Sequence, residues 1–161
     1  SDSILNVAGM AFILFGFLFR ITARGYKEEK SSNGNCLVKD GPYAVIRNPM
    51  YFGTFMIGTG IVIMLLEWWV FFLFAIIFLL IYIPQMKKEE DVLLEKFGQE
   101  YKEYCKKSPK YFPRFSYLLR LNKYITLKPF WVKKELIPML TTLMLVISIE
   151  IWKYIKLFRH K

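Results

Sequence analysis

Histidine is almost absent from this chain: one occurs, His160, beside the last residue. A Ser-His-Asp triad, a Cys-His pair or a His-ligated metal would each have to use it, and a fraying terminus is a poor place for a catalytic base. Cysteine is nearly as scarce. Cys36 and Cys105 lie too far apart in sequence for a zinc motif and make no disulfide framework, so no metal centre is expected. Glycine-rich phosphate loops of the dinucleotide or P-loop type are missing. Charge is missing from three stretches: none lies between Ser3 and Phe19 or between Leu136 and Ile149, and Glu67 stands alone between Phe52 and Ile83. An enzyme built from this supply must run a reaction that needs little acid–base help. Direct displacement of an activated group is one, because positioning and desolvation supply much of its rate.

What is present is apolar bulk. Of 161 residues 55% are hydrophobic, and they are gathered in blocks rather than at amphipathic spacing, which reads as membrane helices. The fold class expected is all-α, a polytopic integral membrane helical bundle forming one domain over residues 1–161. A single helix over Phe52–Ile83 would be about 48 Å long, well beyond a hydrocarbon core of about 30 Å. Two helices turning at Leu66-Glu67-Trp68-Trp69 fit better, with Glu67 reaching water and both indoles at the interface. Gly58 and Gly60 in the first arm permit close helix contact. The N-terminal block has no basic n-region and no small-residue cleavage site, so it reads as a helix rather than a cleavable leader.

The net charge of +10 follows the same logic. Lys and Arg crowd residues 20–47 and 87–134, which flank the hairpin on one side. By the positive-inside rule that side is cytoplasmic and faces anionic membrane lipids. No soluble basic face interleaved with stacking aromatics is available, so no nucleic-acid partner is expected. A last helix over Leu136–Trp152 either spans fully, leaving Lys153, Lys156 and Arg159 on the far side against the rule, or is tilted or re-entrant.

Three polar clusters meet at the basic side. In "NCLVKDGPY", Asn35 to Tyr43, Asp40-Gly41-Pro42 is turn chemistry, and Leu37-Val38 before it is a short extended piece with free amides. In "RNPMY", Arg47 to Tyr51, Asn48 precedes Pro49 and is placed to cap the following helix, with Pro49 at its first position. In "KKEED", Lys87 to Asp91, an acidic pair follows the hairpin directly. Each cluster alone is explained by a turn, a cap or a charged helix exit. Together they surround one small volume, and the acidic pair suits a ligand that carries an amino group. Beyond it, Leu93, Phe97, Tyr101 and Tyr104 recur at spacings of four and three, an amphipathic helix that caps the membrane core or lies on it. On a helical wheel Glu90 lies nearer the apolar stripe than Glu89, with Pro84 a possible break ahead of both.

The run "LVKDGPYAVIRNPMYFG", the apolar hairpin, "KKEEDVLLEKFGQEYKEY" and "YFPRF" together resemble the membrane methyltransferases of the isoprenylcysteine carboxyl methyltransferase and phospholipid methyltransferase group, prokaryotic members above all. The resemblance covers roughly residues 5–115, leaving a C-terminal extension with an apolar helix over 118–161. It implies an S-adenosylmethionine pocket at the cytoplasmic face. Cofactor contacts carried over fall on Asn35, Cys36, Leu37, Val38 and Tyr43, then on Asn48, Pro49, Met50 and Tyr51, and finally on the acidic pair. There the alignment selects Glu89, while the wheel selects Glu90. The protein-modifying branch reads Arg-His-Pro where this chain has Arg47-Asn48-Pro49, and it carries a substrate-binding Arg where this chain has Gln85.

The function expected from these features is transfer of a methyl group from S-adenosylmethionine to a lipophilic acceptor that comes sideways from the bilayer. Arg47 either orients the acceptor or braces the motif, and bracing is favoured. Two rivals stand beside this reading. One is a steroid-type membrane reductase using NADPH, whose motif tends toward Asn-Tyr closely followed by Glu. The other is a non-enzymatic membrane scaffold in which every cluster is a turn or a cap.

Overall fold

Each charge-poor block is helical, because a chain in lipid must pair every backbone N–H and C=O internally. The computed structural model describes residues 2–159, so His160 and the reading attached to it lie outside the described residues. In chain order the helices are α1 (Asp2–Lys30), the single turn α2 (Pro42–Val45), α3 (Pro49–Leu65), α4 (Trp68–Lys107), the short α5 (Phe115–Leu118) and α6 (Leu136–Arg159). Two 3-10 stretches, Leu121–Lys123 and Pro129–Glu135, lie between α5 and α6. No strand occurs among the described residues. Among the described residues three runs are long and apolar enough to cross a membrane: Ser3–Lys30, Trp68–Lys107 and Pro129–Arg159.

The tightest helix contact joins α1 to α3, and it is made by glycine pairs. Gly16 opposes Gly53 and Gly9 opposes Gly60, so the two helices run antiparallel with a matching spacing of seven residues. A Cβ at Gly16 would stand 2.5 Å from the Gly53 carbonyl oxygen, and one at Gly60 would stand 2.5 Å from that of Gly9. In lipid, where water drives no helix together, such close backbone approach is a main source of adhesion. Gly60 therefore acts as its sequence position suggests. Gly58 instead leaves room for the Phe74 ring of α4.

Leu66, in the left-handed region at φ 61°, and extended Glu67 separate α3 from α4, with Trp68 and Trp69 exposed beside them. Ring pairs then zip α4 back along α3: Phe55 against Phe74 and Phe78 at 5.7 and 5.1 Å, and Tyr51 against Tyr82 at 5.3 Å. Contrary to the break expected at Pro84, α4 runs through it uninterrupted, and the amphipathic stretch begins on that same helix at the basic end of the bundle. The backbone leaves helical geometry at Gly98 instead, at φ 48° and ψ −117°. Proline within a lipid-embedded helix is tolerated when neighbours satisfy the freed groups.

The last helix is longer than expected, and its charges are matched. Lys153 binds Glu150 at 3.0 Å and Asn6 at 2.9 Å, and Lys156 comes to 4.0 Å from Glu67 beside the α3–α4 turn. At the opposite end Glu135 meets Arg20. The run from Glu135 to Lys156 therefore traverses the whole bundle rather than re-entering it. Its far-side lysines face carboxylates, which softens the conflict with the positive-inside rule.

Candidate functional site

The basic end of the bundle is organised by two buried hydrophobic residues. Val45 and Ile46 are fully enclosed with Phe19 and Phe52, whose rings meet at 5.0 Å. They fix the segment that carries Arg47 and Asn48. Ahead of them Gly41 takes φ 58°, and a side chain there would collide with the Tyr26 ring at 2.5 Å. Tyr104 of α4 donates its hydroxyl to the Tyr43 carbonyl at 2.7 Å, and the Arg47 amide donates to the Pro109 carbonyl at 2.9 Å. The far end of α4 is thus tied down over the loop.

Between these parts lies a cavity of about 340 Å³. Cys36, Leu37 and Val38 form one wall and Tyr43 a second. Arg47, Asn48, Pro49, Met50 and Tyr51 form a third, and Glu89 faces them from α4. Leu93, Phe97, Tyr101 and Tyr104 close the side, so the apolar stripe of that helix covers the cavity. Three expected residues do not line it. Asn35 is exposed and accepts from Lys96 at 3.5 Å. Gln85 is exposed and donates to Glu89 at 3.4 Å. Glu90 lies behind the lining, bound to Lys110 at 2.7 Å and 3.5 Å from Arg47. Of the acidic pair, Glu89 lines the cavity and Glu90 does not. Leu93, Phe97, Tyr101 and Tyr104 line the cavity on both sides of the Gly98 irregularity, so a single helical wheel does not describe that face.

Local hydrogen bonding gives each wall its character. The Glu89 carboxylate accepts from the Tyr51 hydroxyl. Arg47 donates to the Cys105 sulfur at 3.1 Å and leans on Glu90, a bracing set of contacts. Lys110 binds Glu90 so closely that this hydrogen bond raises its ammonium above the ordinary lysine value. Burial likewise pushes the Tyr43 hydroxyl up, so it stays neutral and able to donate across the physiological range. The expectation that Asn48 caps α3 with its side chain fails: no such hydrogen bond forms, and its Nδ2 is buried without a partner. The Asn48 backbone, at φ −119° and ψ 63°, departs from the extended geometry usual for a capping residue. No backbone hydrogen bond leaves the amides of Leu37 or Val38 among the described residues. Buried donors without acceptors are rare in finished structures, so each calls for a partner such as a water or a ligand.

Sequence reasoning missed Arg20, Lys27 and Ser31 of α1, Thr54 of α3 and Tyr82 of α4, all of which line the cavity. Arg20, Lys27 and Ser31 recur at intervals of seven and four, one face of a helix, which is the signal that was there to find. Arg20 is the first charge after the apolar run of α1, and an ionisable group at the edge of such a run has a partner or a function.

The profile of the family described as phospholipid methyltransferase matches residues 4–100. The protein-S-isoprenylcysteine O-methyltransferase of Schizosaccharomyces pombe is 27% identical over 119 residues, 69% of this chain and 50% of that protein. The nickel-cobalt-cadmium resistance protein NccN of Alcaligenes xylosoxydans xylosoxydans is 32% identical over 89 residues, 55% of this chain and 41% of the relative. The cobalt-zinc-cadmium resistance protein CzcN of Cupriavidus metallidurans is 34% identical over 82 residues, 51% and 38% of the two chains. The chain thus spans half or less of the length of the curated relatives it matches. No solved structure matches.

Proposed function

Because the chain belongs to the phospholipid methyltransferase family, we propose that its cavity holds S-adenosylmethionine and passes the methyl group to a lipophilic acceptor. The observation that supports this most is the convergence of Tyr43, Asn48 and Glu89, from three separate segments, on one cavity. Its volume falls in the range of about 300–1,000 Å³ usual for small-molecule sites. The donor set fits as well. A carboxylate at Glu89 suits an ammonium group, the orphaned Asn48 Nδ2 and the free amides at 37 and 38 suit acceptor atoms, and Leu93 and Phe97 offer apolar surface to a ring.

When bound, the methyl donor supplies an electrophilic carbon on a sulfonium whose positive charge disappears on transfer. The chain's own share is to orient and to dry the site. Glu89, held by Tyr51 and Gln85, fixes one end of the ligand. The stripe Leu93, Phe97, Tyr101 and Tyr104 excludes water, which favours loss of charge. Arg47 braces the motif through Glu90 and Cys105 rather than touching the reacting atoms. The acceptor comes from the bilayer past the exposed side of α4 near Tyr82 and Gln85, and the cavity opens on the cytoplasmic face, where the unbalanced basic charge lies. One domain carries all this, with the family-like core over about 5–115 and the C-terminal extension packed along it.

Incubating the purified protein with radiolabelled methyl donor and native membrane extract tests the reading. Label carried into an organic-soluble product, and lost in Glu89→Ala, is the expected outcome. No labelled lipid from the active-looking wild type, together with saturable binding of NADPH, would replace it with the reductase reading.

A further inference from the structure

Arg20 is the charged residue set deepest along α1 in the cavity wall, about 10 Å further from the mouth than Lys27. Its Nε and Nη2 donate to Glu135 at 2.9 and 3.2 Å, and its Nη1 donates to the Thr54 hydroxyl at 2.6 Å. Thr54 passes its own hydrogen to the Met50 carbonyl. A guanidinium has five N–H donors, so three are placed and two remain. Glu135 is fully buried and already shared with Arg24 at 3.1 Å. Arg20, Arg24 and Glu135 therefore leave one positive charge uncompensated in a site where Arg20 is only 17% exposed. Of the other cations in the cavity wall, Arg47 is paired with Glu90, whereas Lys27 meets no carboxylate among the described residues, so the wall keeps a positive balance against Glu89.

The fold also makes room for this side chain. Gly53 lies under its stem, and a Cβ there would stand 2.7 Å from the Arg20 Cγ. Glu135 comes from the C-terminal stretch outside residues 4–100, so a segment beyond the family core aims a residue inside it. A salt bridge that merely pinned α6 to α1 would gain nothing from facing a cavity.

We propose that Arg20 is an oxyanion-binding residue, oriented by Glu135, whose two unused N–H groups take a carboxylate or phosphate oxygen of a ligand in the cavity. Two sources share that chemistry: the acidic headgroup of a lipid acceptor, and the carboxylate of the methyl donor itself. The donor arm rests on the function proposed above, and the lipid arm does not. Tyr51 and Thr54 stand one turn apart on α3, so the Glu89 and Arg20 sites are neighbours along the same wall.

The test compares wild type, Arg20→Lys, Arg20→Gln and Arg24→Gln in detergent micelles. Arg24 shares Glu135 but does not line the cavity, so its variant controls for loss of the buried pair. Arg20→Lys keeps the charge and the pairing with Glu135 while losing the planar fork, which keeps the test alive should Arg20→Gln fail to fold. In the lipid arm, native mass spectrometry measures retention of phosphatidic acid against diacylglycerol of the same chains, with inorganic phosphate as competitor. In the donor arm, calorimetry measures S-adenosylhomocysteine against its decarboxylated analogue. A drop of about tenfold or more in preference for the acidic member of one pair, in the Arg20 variants and not in Arg24→Gln, is expected and names the source. Equal loss in Arg20 and Arg24 variants, no change in either pair, or displacement by inorganic phosphate regardless of acyl chain would overturn the proposal. Absence of S-adenosylhomocysteine binding to wild type would remove the methyl donor alone and leave the lipid arm standing.

Discussion

The Glu89 carboxylate meets the cavity already oriented, with the Tyr51 hydroxyl and the Gln85 amide on one of its oxygens. Removing it costs a charge-assisted contact of roughly 1.5–3 kcal/mol, so Glu89→Ala should weaken S-adenosylhomocysteine binding about 10- to 150-fold by calorimetry. Asn48 separates a structural from a ligand role. A capping Asn would cost about 1 kcal/mol on truncation, but this one caps nothing. Asn48→Ala should therefore leave the melting temperature nearly unchanged while weakening ligand binding, and a lowered melting temperature with intact binding would contradict the assignment. Residue chemistry of this kind was legible where turn and cap signals coincide, as at Asp40-Gly41-Pro42 and Asn48-Pro49. Thr54 was not, and for Arg20 only the helical face and not the Glu135 partner could be read, because a side chain inside a helix reveals its neighbour only once that helix has packed.

Among elements, the α1–α3 pair carries the most demanding geometry. At Gly16 the obstacle to any side chain is the Gly53 carbonyl, part of a backbone that cannot swing aside, whereas at Gly58 it is the end of the Phe74 ring. Gly16→Ala should accordingly destabilise by about 1–3 kcal/mol, and Gly58→Ala by less, as read from thermal melting in detergent. The reverse order would mean that the two helices do not cross where the structure has them. The apolar blocks, the turn at Leu66 and Glu67 and the stripe of α4 could all be read from composition and spacing. The partners of the blocks could not. In lipid a helix is apolar on every side, so the periodicity that identifies a buried face in water is mute, and only paired glycines at matching spacing report the contact.

Over the whole molecule, the C-terminal segment is strapped to α1 by a line of polar contacts. Glu135 takes Arg20 and Arg24, Glu28 takes Lys134, and Glu29 takes Lys128 and the Trp131 indole. The pairs of Glu28 with Lys134 and of Glu29 with Lys128 are partly exposed and contribute little each. Glu135→Ala is different, since it strands two cations, one of them in the cavity wall, and should cost about 3–5 kcal/mol. Thermal melting checks this, and a loss under about 1 kcal/mol would show that Arg20 and Arg24 find other partners. None of this strap was visible in the sequence, where residues 118–161 match no motif and Glu135 is one acidic residue between lysines and an apolar run. The claim on which the rest turns is that the basic end of the bundle holds a nucleoside-sized, positively charged methyl donor between Tyr43, Asn48 and Glu89. Isothermal calorimetry of the intact protein with S-adenosylhomocysteine addresses it most directly. Saturable one-to-one binding, weakened about tenfold or more by Glu89→Ala, is the predicted result; no heat of binding up to about 1 mM ligand from folded wild-type protein, a ceiling corresponding to about −4 kcal/mol, would contradict it.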